Sequence, residues 1–416
     1  VDDSIVVCLK IMVNPNAMGA SDTLLNQAYA WAVDTVSGYT TEDYSDAGMD
    51  AEGTNGEGEC DDPTLVQLKD INVSKQILRV TTYRQDSLPG VAAVEFQVLI
   101  KNKGNVPFYD LMLVDSIADQ LGSALVAVLE PPSIHEPPQL INGVVTSLNG
   151  TSYLPTIQDF PKILDGTMVL DTLERDSFID VRFTLLIDPN AVGAPSPLKN
   201  QAVVMGNTII GDHTDRSDTG PDPESSNGGE EGDTGGEHDP TCVNVPMVNL
   251  NKNLDHVEDS PALGNFRAVY HLTITNTGNT PLDSLSLTDD IMTQFGIYFQ
   301  NVVSVGVLSS NATAGVDVDP GYDGTAGSNM LIPSDATYLE PGQQITIELK
   351  VEIDPVIGNL TADTLYNQSE VWARGVSPSG IEINGNDGLV DAYGRVIWTH
   401  DLSDPGVDPD GLNPGA

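Results

Sequence analysis

The chain has 416 residues, and its 61 aspartates and glutamates against 17 lysines and arginines give a formal net charge of −44. Such a surface repels nucleic acids and anionic membranes, so we expect no nucleic-acid partner and no membrane insertion. Hydrophobic residues make up 39% of the chain, enough for folded cores. No apolar run approaches the ~20 residues that a membrane helix needs.

Residues 1–50 are predicted to be the C-terminal part of a β-sandwich unit, followed by an acidic linker at 51–63. The runs 5–13 and 26–33 are typical of strands, and we expect them to be the last two strands of that unit. Alone, such strands would expose an apolar face and unpaired edges. We therefore expect completion by neighbouring repeats of a longer polypeptide or by a copy of the chain through donor-strand complementation, which would build a filament.

Internal repetition divides the rest of the chain. The sequence Asn-x-Gly-Asn-x-Pro at 102–107 recurs at 276–281, and Asn-Gln-Ala at 200–202 recurs as Asn-Gln-Ser at 367–369. Because such shared sequences keep their order along the chain, they indicate repeated structural units. The predicted boundaries are complete units at 64–222 and 243–408, an acidic glycine-rich linker at 223–242, and a tail at 409–416.

Within each unit, apolar and polar residues alternate or form short runs bounded by glycine, proline, asparagine and aspartate. The clearest predicted strands are 94–100, 178–185 and 345–353, since alternation places one face of a strand in a core and the other in water. No stretch has the caps and periodicity of a helix. We predict an all-β fold of tandem Ig-like antiparallel β-sandwiches joined by acidic linkers. Insertions rich in proline, glycine and asparagine are expected at 128–165 and 300–336.

An acidic phrase, Asp-x-Ser-Asp-x-Gly-x-Asp, ends each unit, at 43–50, 215–222 and 401–408. Each copy offers carboxylates, a hydroxyl and a glycine, and Ca²⁺ takes about six to eight oxygen ligands. The alternative is a solvated, turn-forming linker, but the constant spacing favours calcium. The predicted calcium ligands in the phrase are Asp43, Asp46, Asp50, Asp215, Asp218, Asp222, Asp401, Asp404 and Asp408.

A second candidate calcium site comprises Asp317, Asp319 and Asp323, whose spacing partly mimics a calcium-binding loop. The alternative is an ordinary turn within an insertion. Asp115 and Asp289 end matching predicted strands, and they would either join a metal site from the rim of the domain or start a turn. We include Asp289 among the predicted calcium ligands.

The two Asn-x-Gly-Asn-x-Pro sequences are interpreted as hairpin turns in which Gly104 and Gly278 supply a positive φ. A lysine–asparagine isopeptide bond is also considered, between Lys69 on the first strand and Asn200. It is disfavoured because the repeat alignment places Asn251 opposite Lys69, and a one-residue slip turns a side chain to the other face of the strand.

Sequence patterns of enzymes are absent. The chain contains no Gly-x-Ser-x-Gly, no His-Glu-x-x-His and no phosphate-binding loop, so we predict no enzyme activity and no catalytic residues. Asn-x-Ser/Thr sequons would be glycan acceptors in a secreted glycoprotein, and they begin at Asn72, Asn149, Asn311, Asn359 and Asn367.

The order of these landmarks resembles the tandem Ig-like repeat of unknown function found in large bacterial surface and secreted proteins, including Bacteroidota proteins with long arrays. The segments 276–281 and 401–408 carry the resemblance best. It implies an extracellular or cell-surface location and a structural role. We therefore expect a segment or subunit of a bacterial fibre or stalk, built from calcium-stiffened Ig-like repeats. The alternative is an adhesin module that binds a glycan or surface ligand through its insertion loops.

Overall fold

The computed structural model places two β-sandwiches after a small leading group of strands. It describes residues 6–13, 24–45, 64–83, 90–135, 162–165, 172–175, 177–220, 240–313, 315–332, 338–357, 360–361, 364–377, 388–392 and 394–405. In this part of the chain, no helix is both long enough and apolar enough to cross a membrane.

The leading group contains strands β1 (Leu24–Asn26), β2 (Tyr29–Val33) and β3 (Thr40–Tyr44). β2 and β3 form an antiparallel hairpin whose residues are exposed. Residues 6–13, predicted as a strand, have no regular secondary structure. A strand requires a hydrogen-bonded neighbour, and no described segment pairs with these residues. The hairpin is therefore made by β2 with β3, and not by the two predicted runs.

The first sandwich consists of two facing sheets. Its strands are β4 (Thr64–Val66), β5 (Ile71–Tyr83), β6 (Val91–Asn102), β7 (Phe108–Asp115), β8 (Leu125–His135), β9 (Lys162–Asp165), β10 (Thr172–Leu173), β11 (Phe178–Ile187), β12 (Lys199–Asn200), β13 (Ala202–Thr208), β14 (Gly211–Arg216) and β15 (Asp218–Thr219). One sheet has the order β15-β5-β6-β11-β8, and the other has the order β10-β7-β13-β14 with β9 also paired to β7.

The central strands β6 and β11 show why this sequence folds into a sandwich. On β6, Val94, Phe96 and Val98 are 0% exposed, while the intervening Glu95 and Gln97 are half-buried on the outer face. This alternation puts one apolar face of the sheet against the opposite sheet. The strands predicted at 94–100 and 178–185 are confirmed as β6 and β11.

A short helix, α1 (Ile117–Leu121), follows β7 and leads into a 3-10 turn at Gly122–Ala124. It closes one end of the sandwich with two buried side chains, Ile117 and Leu121. The prediction that the chain has no helix is wrong here. A helix of one turn is too short to show a 3.6-residue pattern, and its stability comes from tertiary packing.

The second sandwich repeats this plan. Its elements are β16 (Thr241–Cys242), β17 (Val248–Asp259), β18 (Phe266–Asn276), β19 (Leu282–Thr288), α2 (Ile291–Phe295), β20 (Phe299–Ser310), β21 (Gln344–Ile353), β22 (Val356–Ile357), β23 (Leu360–Thr361), β24 (Glu370–Gly375), β25 (Trp398–Leu402) and β26 (Asp404–Pro405). The sheets have the orders β20-β21-β18-β17-β26 and β19-β24-β25. The predicted strand at 345–353 is confirmed, and the fold is all-β, built of β-sandwiches as predicted.

The predicted insertions begin too early. Residues from 128 and from 300 belong to β8 and β20, which pair with β11 and β21 at matching places in the two sandwiches. In the second sandwich, the later part of the insertion covers the core, where Tyr322, Met330 and Leu331 are buried. Local composition suggested loops, but pairing with a neighbouring strand decides the conformation.

Candidate functional site

A lysine is enclosed in the core of the first sandwich. Lys75 lies on β5, and its Nζ contacts both Asp115 Oδ2 and Asn200 Oδ1. Asp115 ends β7 in the opposite sheet, and Asn200 Nδ2 donates a hydrogen bond to Asp115 Oδ1 at 2.7 Å. All three residues are 0% exposed. The amine, the carboxylate and the amide therefore form a closed ring of contacts shielded from water.

Aromatic rings surround the amine. The centroids of Phe96 and Phe183 lie 5.0 and 5.1 Å from Lys75 Nζ, and the two rings stack on each other. Burial lowers the pKa of the Lys75 amine from its ordinary value, against the opposing attraction of Asp115. Such an environment favours the uncharged amine, which is the nucleophilic form of lysine.

The second sandwich holds an equivalent cluster. Lys252 Nζ contacts Asp289 Oδ2, and Asn367 Nδ2 donates to Asp289 Oδ1 at 2.7 Å. The side chains of Lys252 and Asp289 are 4% and 0% exposed. Burial lowers the pKa of Lys252 as well, with Asp289 acting in the opposite direction. Within the part of the chain that the structure describes, the buried Oδ1 atom of Asn367 has no hydrogen-bond partner.

The two clusters differ in their surroundings. Ser369 stands where the first sandwich has Ala202, and Lys252 Nζ lies 3.1 Å from Ser369 Oγ. Tyr270 replaces Phe96, with its ring centroid 4.7 Å from Lys252 Nζ. Burial, helped by the negative charge of Asp289, raises the pKa of Tyr270 to about 12. The ring therefore stays neutral and contributes an apolar wall.

The structure shows that Lys75, and not the Lys69 considered from the sequence, is the lysine beside Asn200. Lys69 donates from its exposed end to the backbone oxygen of Asp212 at 2.5 Å, whereas Lys75 is the lysine that contacts Asn200. Lys75 and Lys252 occupy equivalent positions on their strands. Each lies two residues after the residue whose backbone N–H donates to the first aspartate of the acidic phrase, which is Val73 in one sandwich and Leu250 in the other. A search for lysines at matching repeat positions would have found this pair.

The acidic phrase has a structural task in both sandwiches. Asp215 Oδ2 accepts the backbone N–H of Val73 on β5 at 2.8 Å, and Asp401 Oδ2 accepts that of Leu250 on β17 at the same distance. The residues that follow the serine form a short strand, which pairs in parallel with the neighbouring sheet: β15 pairs with β5 in the first sandwich, and β26 pairs with β17 in the second. The first aspartate thus satisfies a strand N–H that the sheet leaves open.

The serine of the phrase is equally fixed. Ser217 Oγ accepts the backbone N–H of Ala202 at 2.9 Å, and Ser403 Oγ accepts that of Ser369 at 3.0 Å. In the leading group, Ser45 Oγ accepts the matching N–H at 2.9 Å. These bonds give the constant Asp-x-Ser spacing a structural reason, independent of any ion.

The predicted calcium ligands do not converge in the described part of the chain. Asp43 is exposed on β3, Asp215 and Asp401 are half-buried, Asp218 is buried, and Asp404 lies in β26. The remaining four predicted ligands of the phrase, Asp46, Asp50, Asp222 and Asp408, lie outside the described residues. Among described residues, no group of three or more His, Cys, Asp or Glu side chains could hold a metal ion.

The loop with Asp317, Asp319 and Asp323 is arranged by its own hydrogen bonds. Asp319 Oδ1 accepts the backbone N–H of Gly321 at 2.7 Å, and Asp323 Oδ1 accepts the backbone N–H and the hydroxyl of Thr325 at 3.1 and 2.6 Å. The threonine hydroxyl lowers the pKa of the Asp323 carboxyl. These are the short-range bonds of aspartate turns. Asp289, the other predicted ligand, is paired with Lys252.

The segment 241–247 connects the two sandwiches and packs on the first. β16 pairs antiparallel with β12, and Val243, Val245 and Met247 are 0% exposed within the first core. The sequence places residues from 243 onward in the second unit, but by packing this stretch belongs to the first sandwich. The chain therefore leaves the first domain through a buried, extended segment that follows the two-residue strand β16.

The Asn-x-Gly-Asn-x-Pro sequence binds this connecting segment. Asn279 Oδ1 accepts the N–H of Val245 at 2.7 Å, and Asn279 Nδ2 donates to the oxygen of Val243 at 2.9 Å. Asn105 makes the same two bonds to the backbone of residues 66–68 at 2.7 and 2.8 Å. The asparagine thus holds the segment that enters each sandwich, a role that sequence patterns did not indicate.

The hairpin interpretation of this sequence is wrong. β6 and β7, like β18 and β19, lie in different sheets, so the connection crosses between sheets. Gly104 and Gly278 do not have a positive φ. They are required for close approach, because an added Cβ would lie 2.4 Å from Leu68 O at Gly104 and 2.2 Å from Val245 O at Gly278.

The same junction occurs twice. Asn26 faces Thr64 in the β1–β4 pair, as Asn200 faces Thr241 in the β12–β16 pair. The leading group therefore meets the first sandwich through the contacts by which the first sandwich meets the second. Repeats that share their junction contacts can continue in one direction as an array.

Comparison with protein-family models finds no match, and no curated protein matches the chain in sequence. Among solved structures, the chain is similar to the yeast delta-COP-I mu-homology domain, with 12% identity, a TM-score of 0.24, and coverage of 82% of this chain and 98% of that chain. It is similar to BcpA, the major pilin subunit of Bacillus cereus, with 11% identity, a TM-score of 0.25, and coverage of 92% and 85%. A biofilm-associated protein B domain shares 13% identity over 82% and 87%, with a TM-score of 0.18. Likenesses this distant carry no argument about function.

Proposed function

We propose that the chain is a structural segment of an extracellular bacterial fibre or stalk, in which Ig-like sandwiches follow one another through fixed junctions. The observation that carries the proposal is the repeated junction, in which one strand pair, two asparagine hydrogen bonds and a close glycine recur at both domain boundaries. A flexible tether between binding domains would not need these bonds. The resemblance to tandem Ig-like repeats of bacterial surface proteins is part of this proposal.

The leading hairpin supports assembly with further repeats. Tyr29, Trp31 and Val33 on β2 are 48%, 66% and 45% exposed. An exposed row of large apolar side chains on a strand is a surface for another sheet or strand. In the described residues β2 pairs with β3 alone. We propose that neighbouring repeats, or another copy of the chain, cover this face.

The charge also fits a surface role. A net charge of −44 keeps neighbouring rods apart in solution, and it gives no attraction to nucleic acids or anionic lipids. We place the protein outside the cell, at the bacterial surface, on this basis. An enzyme role is not part of the proposal.

The junction predicts a rod with a fixed angle between its sandwiches. Replacing Asn279 with alanine would leave Val245 N–H and Val243 C=O without their side-chain partners, at a cost of about 1–3 kcal/mol. We expect the distribution of distances between spin labels on the two sandwiches, measured by pulsed electron resonance, to be narrow in the wild type and broad in the variant. The control is Asn301→Ala, an exposed position on β20.

A broad distribution in the wild type would contradict a stalk and indicate a flexible tether. Binding to a glycan array that is lost when residues 311–332 are replaced by a short linker would instead support the adhesin alternative. Neither result depends on the chemistry of the buried lysines.

Calcium binding by the acidic phrases stays a prediction. We expect chelation to lower the melting temperature and widen the interdomain distances, since calcium at about ten times its Kd adds about 1.4 kcal/mol per site. Differential scanning calorimetry with chelator, calcium or magnesium tests this. An unchanged melting temperature and scattering profile in chelator would rule calcium out.

A further inference from the structure

We propose that Lys75 and Asn200 become joined by an intramolecular isopeptide bond, with Asp115 as the proton-transferring residue. The same assignment applies to Lys252, Asn367 and Asp289 in the second sandwich. Both bonds would be modifications that the protein makes on itself after folding. They are independent of the fibre role proposed above, since the chemistry requires only a folded sandwich.

The first argument is proximity. Lys75 Nζ contacts the side-chain amide of Asn200, and both groups are held on strands inside a packed core. A nucleophile and a carbonyl group held in contact react as though each were present at very high concentration. Both reacting side chains are fixed by Asp115, which contacts the amine through one oxygen and the amide nitrogen through the other.

The second argument is the ionisation state. An ammonium in an apolar core is unfavourable, and Phe96, Phe183 and the surrounding aliphatic side chains provide that core. Transfer of one proton from Lys75 to Asp115 gives an uncharged amine beside an uncharged carboxylic acid. Burial lowers the pKa of the lysine, in the direction that favours this transfer.

The reaction then balances without an oxidant or an added reagent. The lone pair of Lys75 Nζ attacks Asn200 Cγ, while the Asp115 acid group stabilises the developing oxyanion by donating a hydrogen bond. Asp115 next mediates transfer of one amine proton to Asn200 Nδ2. The Nζ–Cγ bond forms, the Cγ–Nδ2 bond breaks, one ammonia molecule leaves, and Asp115 ends with the proton that it first received.

The second cluster has the same parts in a looser arrangement. Asn367 Nδ2, the leaving nitrogen, donates to Asp289 Oδ1, and among the described residues the buried Asn367 Oδ1 has no partner to stabilise it in the amide form. Lys252 Nζ contacts Asp289 and is 3.1 Å from Ser369 Oγ. We therefore expect this bond to form more slowly than the first.

The position of the Lys75–Asn200 bond indicates a mechanical role. Lys75 is on β5, the first long strand of the first sandwich, Asn200 is 125 residues later, and Asn200 pairs with Thr241 in the connecting segment. Thr241 Oγ1 also donates to the backbone oxygen of Lys75 at 2.9 Å. A covalent link here would carry tension from one junction to the next without unfolding the sheets between them.

Mass spectrometry of the full chain tests the proposal. The intact mass of the folded wild type is expected to be lower than the sequence mass by one ammonia for each bond. Proteolysis is expected to give a branched peptide in which Lys75 and Asn200 are joined, and a second that joins Lys252 and Asn367. Finding these four residues in linear, unmodified peptides of the folded protein would overturn the proposal, and each pair is judged by its own peptide.

Variants separate the roles of the residues. Lys75→Met is expected to restore the mass of one ammonia, whereas Lys69→Met, at the half-buried lysine that binds Asp212 O, is expected to leave the cross-link intact. Asp115→Asn keeps the shape of the side chain but removes its acid group, and we expect loss of the cross-link while the circular dichroism spectrum stays that of a β-protein. A full yield of cross-link in folded Asp115→Asn would overturn the role assigned to Asp115. The wild-type peptide map stays decisive even if a variant fails to fold.

Discussion

Replacing Asp283 with alanine is expected to lower the free energy of unfolding of the second sandwich by about 3–5 kcal/mol. Asp283 is 0% exposed on β19, and it accepts a hydrogen bond from Arg374 Nε at 2.7 Å and contacts Arg374 Nη2. The Arg374 side chain is only 15% exposed. Removal of the carboxylate leaves a guanidinium charge in a place that water reaches poorly, and the cost of that charge dominates the loss.

Urea denaturation followed by tryptophan fluorescence measures this loss. Trp372 and Trp398 lie in the second sandwich, residues 64–222 contain no tryptophan, and the third tryptophan, Trp31, is 66% exposed in the leading group. A change in fluorescence on unfolding therefore reports on the second sandwich and not on the first. The double variant Asp283→Ala with Arg374→Leu removes both charges and is expected to recover most of the lost stability.

An ion pair whose arginine is exposed provides the control. Arg395 is 67% exposed and pairs with Asp391, so Arg395→Ala is expected to change the free energy of unfolding by no more than about 1 kcal/mol. If Asp283→Ala has an effect as small as Arg395→Ala, the buried pair does not contribute to stability as we infer.

Replacing Gly278 with alanine is expected to displace the connecting segment between the sandwiches. An added Cβ would lie 2.2 Å from Val245 O and 2.6 Å from Met247 N, and both are backbone atoms that cannot rotate away. Overpacking of this kind costs about 1–3 kcal/mol or more. Because residues 243–247 also fill the first core, we expect the first sandwich to lose stability although the substitution lies in the second.

Hydrogen exchange locates the effect. The backbone amides of Val243, Asn244, Val245 and Met247 are expected to exchange faster in Gly278→Ala, and those of the central strand β18 to keep their protection at low denaturant. Gly306→Ala on β20 is the matched control, because no atom lies within 4 Å of the added Cβ. Equal exchange in the two variants would show that the glycine is not needed for the close approach.

The candidate clusters were only partly accessible from the sequence. Asp115, Asp289 and Asn200 were singled out because they recur at matching places in the repeats, but the aspartates were assigned to calcium or to turns. The matching lysine was missed because the strand was aligned with Lys69. The repeat alignment set Lys69 opposite Asn251, so it did not pair Lys75 with Lys252.

The acidic phrase shows a similar limit. Its constant spacing predicts the end of each unit, and the structure shows that Asp215 and Ser217 bind backbone N–H groups of two different strands. Spacing alone does not tell whether an oxygen accepts from a backbone N–H or binds a cation, since both need an oxygen at a fixed place. Calcium therefore remains a prediction for experiment.

The sequence by itself determined the all-β class, the repeated units and the main strands such as 178–185, because alternation and turn residues act over a few neighbouring positions. Only the tertiary structure decided which residues meet inside the cores and at the junctions. Lys75 and Asn200 are 125 residues apart in the chain, and they touch because β5 and β12 are brought to one end of the same sandwich. Contacts between such distant strands depend on register, crossing between sheets and burial, which local patterns do not encode.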